Sequence, residues 1–284
     1  MKSSTILFYL MVMVILVGCK ATVESEEMPL GSLLNMEEYI EIKDFEGFVV
    51  LGKPTMNSVT IRVTPEYKGN YKVAYYGQDI NNIVMTDVLK TGSKEPVSFV
   101  LDGLKADSTY RYTIITVDND GNAIFSSETN EFQTAKTPGS PFRFVIQSDS
   151  HFNTKADLEI YESVFESMKA FDPDFIMDLG DTFINDNFME SDYETVNQRY
   201  YDQLAYFDIL TQSTPLFLVM GNHEGEYGYL NDQTEDNLLV YATKSRKQYY
   251  PNPVPNGFYS GNEDLEPYVG SPENYYAYTW GDAL

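Results

Sequence analysis

The chain has 284 residues, enough for two domains or one large one, and its 43% hydrophobic and 14% aromatic residues supply ample core material. With 43 acidic against 19 basic residues, the formal charge is −24, and no Lys/Arg cluster interrupts it. This excludes a disordered chain and electrostatic capture of a nucleic acid backbone; it leaves a solvated acidic surface that also concentrates cations.

At the N-terminus Lys2 precedes an uncharged run, STILFYLMVMVILVG, that ends at the single cysteine, Cys19. The apolar part is too short for a comfortable membrane span and has the charged start and small-residue end of a secretory signal. Leu16-Val17-Gly18-Cys19 resembles a bacterial lipoprotein signal. The resemblance implies cleavage before Cys19 and a lipid on its sulfur; an ordinary signal peptide or an uncleaved anchor is the alternative. A lipidated Cys19 leaves no free thiol and no disulfide. The expected location is extracytoplasmic, on the bacterial cell envelope through the lipid anchor, or secreted. The expected organisation is a signal over 1–18, an acidic tether over 19–44, a β-sandwich over 45–137 and a second domain over 138–284.

From Phe48 the hydrophobic period shortens to two. FVVLG, SVTIRVTP, YKVAYYG, IVMTDV, VSFVLDGL, YRYTIITVD and AIFSSETNEFQTA read as seven short strands separated by turns such as EYKGN, TGSKEP and DNDGN. That spacing predicts an antiparallel sandwich of roughly a hundred residues. Leu104 lies six residues before Tyr110 in LKADSTY, which resembles the tyrosine corner of fibronectin type III domains. TAKTPGSP, Thr134 to Pro141, then supplies a hinge-like boundary.

After Phe142 apolar strands alternate with helical patterns. DLEIYESVFESMKAF places Leu158, Tyr161, Phe165 and Met168 on one helical face. A second helix is expected from Ser191, whose SDYE has capping-box form, through Val196, Tyr200, Leu204 and Phe207. The alternation implies a sheet with parallel strands.

Three strands of this part end alike. FRFVIQS is followed by Asp149-Ser150-His151, FIMDL by Gly180-Asp181, and LFLVM by Gly221-Asn222-His223-Glu224. In a parallel sheet such ends face one crevice, so their carboxylate, carboxamide and imidazole groups should converge. Taken singly, each is an ordinary cap or turn. Together they form a coordination shell suited to Mn, Fe or Zn.

Asp-x-His, Gly-Asp and Gly-Asn-His-Glu, in that order, resemble the first three motifs of the calcineurin-like metallophosphoesterase superfamily. The resemblance implies two divalent or trivalent metal ions sharing a bridging aspartate and activating a water or hydroxide that attacks phosphorus in line. By motif position Asp149 and His151 would bind the first metal, Asp181 would bridge, and Asn222 would bind the second. His223 would be the catalytic residue beside the metals, assisting the phosphate oxygen or the leaving group, and Glu224 completes the motif without a ligand role. Two cations are what an anionic ester needs, since they cancel its charge and acidify bound water.

A sandwich ahead of such a domain is similar to purple acid phosphatases, with two departures. Their first motif carries Gly where this chain has His151, and their iron-binding tyrosine falls at Ile184. No purple Fe(III) chromophore is therefore expected. The superfamily's later histidine motifs have no counterpart, because His151 and His223 are the only two histidines. The chain is expected to be a C-terminally truncated, weakly active phosphoesterase acting on phosphate esters, with an incomplete second metal site. The alternative is a non-catalytic surface lipoprotein whose sandwich binds a partner, the phosphoesterase half being a remnant.

Overall fold

A computed structural model describes residues 41–152, 156–185, 192–226, 228 and 231–284. The signal, Cys19 and most of the tether lie outside the described residues. Among the described residues no helix is long and apolar enough to cross a membrane.

The N-terminal part is built from β1 (Glu41–Ile42), β2 (Gly47–Gly52), β3 (Ser58–Pro65), β4 (Gly69–Tyr76), β5 (Val84–Met85), β6 (Leu89–Thr91), β7 (Val97–Asp102), β8 (Thr109–Val117), β9 (Ala123–Ser126) and β10 (Asn130–Gln133). One sheet has the order β2-β3-β7; the other is built on β4 and β8, with β5 and β6 beside β4, β9 and β10 beside β8, and β1 on β9. Alternate residues face inward, as the pleat requires. Val59, Ile61 and Val63 of β3 and Phe99 and Leu101 of β7 share a core with Val73 and Tyr75 of β4 and Tyr112 and Ile114 of β8. The Tyr110 hydroxyl accepts the Lys105 N–H at 2.9 Å, and Leu104 beside it is buried.

Two sequence expectations need correction here. The segment from Ala123 to Ala135 is two strands rather than one. Ser127 interrupts it: its hydroxyl accepts the Ile114 N–H at 2.9 Å, replacing a ladder bond. A short strand at Leu89–Thr91, not anticipated, also pairs with β4.

The C-terminal part has three parallel strands, β11 (Phe144–Gln147), β12 (Phe175–Asp178) and β13 (Leu216–Leu218), in that spatial order. Helix α1 (Leu158–Ala170) joins the first two and α2 (Tyr193–Thr211) the last two. Helix α3 (Leu238–Tyr249) and the small pair β14 (Ser260–Gly261) and β15 (Tyr276–Ala277) follow. Asp157 caps α1 by accepting the Ile160 N–H. Its buried face begins at Tyr161 and continues to Phe165, whereas Leu158, in the first turn, is exposed. The cap of α2 is Asp192, which accepts the Thr195 N–H at 2.9 Å, not Ser191, which lies outside the described residues. Val196, Tyr200, Leu204 and Phe207 are all buried.

The two parts share a core. Strand β2 ends its sheet, and α2 covers that end. The Asp208 carboxylate accepts the Val49 N–H at 2.6 Å, and the Thr211 hydroxyl donates to the Val49 carbonyl at 2.8 Å. Val50, on the opposite face of β2 from Val49 and Leu51, belongs to the core formed by α1, α2 and α3. Burial on both faces is why FVVLG is apolar without alternation. Tyr112 donates to the Gln212 carbonyl at 2.7 Å, and Arg62 donates to the carbonyls of Lys247 and Gln248 at the end of α3.

Candidate metal centre

The loops leaving the carboxyl ends of β11, β12 and β13 meet above the sheet. The first two run on side by side after their strands end. Asp149 N–H donates to the Gly180 carbonyl, His151 N–H to that of Asp181, and Phe152 N–H to that of Thr182, at 2.9 to 3.0 Å. Side chains can therefore be held there in a fixed register although no regular strand continues.

Three site residues adopt the left-handed region that non-glycine residues seldom occupy: Asp149 (φ 57°), His151 (φ 48°) and Asp181 (φ 55°). Each such residue costs on the order of 1–3 kcal/mol, and such strain gathers at functional sites. The loop-to-loop bonds above offset it. Gly180 and Gly221 lie back to back. A Cβ on Gly180 would fall on the Gly221 backbone, and one on Gly221 would strike the Asp181 carboxylate and N–H.

Imidazole nitrogens of His151 and His223 and a carboxylate oxygen of Asp181 lie within 4.8 Å of one another. The two rings are 5.1 Å apart, centroid to centroid, at 70°. Two borderline nitrogen donors and one hard oxygen, half-exposed above a rigid sheet, fit one Zn, Mn or Fe ion. Asp149 is exposed and is not part of that trio; Asn222 is exposed on the same turn as His223. The structure thus brings together two residues expected as ligands and the one expected to act on the leaving group. Ile184 is buried.

The supporting residues are mostly ones that motif reading leaves without a role. Glu224 is buried, and its carboxylate accepts N–H bonds from Asp181 (3.1 Å), Thr182 (2.9 Å), Phe183 (3.2 Å) and Gly221 (2.6 Å). Burial pushes its carboxyl up to about 7, against the opposing effect of those four donors. All four partners are donors, so the ionised form is the one that satisfies them. Asp178, also buried, accepts from Gln147 at 2.6 Å, the Gly180 N–H at 2.9 Å and the Thr182 hydroxyl at 2.8 Å. Burial moves its carboxyl up to about 6, and the nearby Asp149 charge adds to the shift. The Asp181 carboxylate itself accepts the His223 N–H at 2.8 Å.

Fold and site together define an α/β domain with metal donors on loops at the carboxyl edge of a parallel sheet. Residues 142–282 match the family model of the calcineurin-like phosphoesterases, and this part of the chain is a calcineurin-like phosphoesterase domain. Among solved structures, a purple acid phosphatase from yellow lupin (Lupinus luteus) seeds is similar, with a TM-score of 0.53 and 15% identity over 73% of this chain. PhoD matches with a TM-score of 0.48 and 16% identity over 76% of this chain. The match takes in 41% of the lupin chain and 48% of the PhoD chain, so this chain spans less than half the length of either. A search of curated proteins finds no match.

Proposed function

We propose that the chain is a metal-dependent phosphoesterase that hydrolyses phosphomonoesters. The observation that carries this reading is the convergence of His151, Asp181 and His223 on one point within a calcineurin-like domain. Asp149 and His151 would hold a first ion, Asp181 would bridge, and Asn222 would hold a second. When bound, such ions supply charge neutralisation for the ester and a water acidic enough to attack phosphorus. The chain's own residues do the rest. The Asp181 loop and the His223 loop fix the donors, and His223 donates a proton to the departing oxygen.

The sandwich is read as fibronectin III-like on its tyrosine corner. Its lipid anchor at Cys19 and place on the outer side of a bacterial membrane rest on the leader alone. A charge of −24 disfavours nucleic acid substrates.

The test is hydrolysis of an aromatic phosphomonoester by purified protein with added Mn. Loss of an outer-shell partner costs about 10–100-fold, and Asp181→Asn removes a direct donor, so it is expected to cost more than that in both metal binding and rate. His223→Ala separates roles: lost rate with metal retained supports the proton donor, whereas lost metal makes His223 a ligand. Stoichiometric metal without turnover on any phosphoester would favour the non-catalytic surface lipoprotein.

A further inference from the structure

We infer that Glu224, assisted by Asn185, is a positioning residue: it sets the Asp181 loop against the loop that carries Asn222 and His223, and through that spacing the affinity of the metal centre. This rests on the metal-centre reading above. The two loops that carry those donors are joined directly by the His223 N–H donating to the Asp181 carboxylate at 2.8 Å, but neither is a regular strand at this point, and Glu224 ties their backbones. Glu224 Oε2 accepts from Asp181 N–H and Gly221 N–H, one from each loop. Its Oε1 accepts from Thr182 N–H and Phe183 N–H, so the whole turn behind Asp181 is strung onto one carboxylate.

Asn185 closes the same two loops from the other side. Its N–H donates to the His223 carbonyl at 2.9 Å. Its Nδ2 donates to the Glu224 carbonyl and to the Tyr200 hydroxyl, both at 2.9 Å. Asn185 is fully buried, and Tyr200, on α2, anchors it to the core. Gly180 and Gly221 permit the close approach, while Glu224 and Asn185 hold it.

The chemistry makes Glu specific at this position. A carboxylate presents only acceptors, and four N–H donors use them. Gln keeps the shape but turns an amide NH2 toward two N–H groups, so at least two bonds fail. Asp keeps the charge but is one methylene too short to reach both loops. The donors themselves remain in either variant, so an effect on metal affinity reports position.

The experiment is calorimetric titration of Mn alone into the full chain, comparing wild type, Glu224→Gln and Asn185→Ser. Thr211→Val, far from the site, serves as a control for general destabilisation. Glu224→Gln is expected to weaken Mn binding 10–100-fold and Asn185→Ser about 3–10-fold, beyond any loss in the control of equal thermal stability. If Glu224→Gln does not fold, Asn185→Ser alone decides. Wild-type affinity in the folded variants overturns the inference and leaves the metal reading intact. Absence of Mn binding by wild type overturns both.

Discussion

Asp181 meets three demands at once. Its backbone is left-handed, its carboxylate accepts the His223 N–H, and a carboxylate oxygen lies within reach of both imidazoles. The first demand is met because Gly180 ahead of it leaves space for Gly221. Gly180→Ala would need both a left-handed alanine and retreat of a neighbouring backbone. It is expected to cost more than about 1–2 kcal/mol, read as a lower unfolding midpoint without metal. The donor residues were legible in the sequence because their chemistry is local: each follows an apolar strand within three or four positions. Glu224 was visible only as the last letter of a motif. Its function lies in which N–H groups two separate loops bring to it, and a one-dimensional pattern does not contain that.

At the scale of elements, α2 does what a neighbouring strand would do for β2. The Asp208 carboxylate takes the Val49 N–H, and burial pushes its carboxyl up to about 6. The folded state therefore holds this proton more tightly than the unfolded state, whose carboxyl sits near 3.8. The stabilising contribution is complete below about 3.8 and lost as pH rises through about 6. A shift of that size corresponds to at most about 3 kcal/mol. Denaturant unfolding from pH 4 to 7 should show a decline that Asp208→Asn makes shallower, since Asn keeps an acceptor for Val49 without the charge. Asp178 and Glu224, shifted the same way, contribute to the slope in the same direction. Most of the longer strands and the first two helices could be read from hydrophobic period, though not the cap of α2 or the strand at Leu89–Thr91. Helix α3 could not, because its buried face carries Thr243, Ser245 and Arg246. Arg246 is accommodated by Glu226, at 2.6 and 2.8 Å, and by the carbonyls of Pro272 and Glu273. A buried guanidinium whose three nitrogens all find acceptors hides the amphipathic signal that periodicity looks for.

For the molecule as a whole, two features dominate: a shared core and an excess of negative charge. Self-repulsion among 43 acidic residues acts against the compact state, and salt screens it within about 10 Å at 0.1 M. Raising NaCl from 20 to 300 mM (roughly a fourfold shorter screening length) should raise the unfolding midpoint. A fall or no change would show that local carboxylate bonds outweigh the net charge. The β2–α2 contact has a further consequence, in time rather than energy. Val49 meets Asp208 across 159 residues of chain. At about 5–20 residues per second, a ribosome leaves β2 waiting roughly 8–30 s for its helix. During that interval a nearly finished sandwich displays Phe48 and Val50 to its surroundings, so the nascent chain is a natural client for a holding chaperone until α2 emerges.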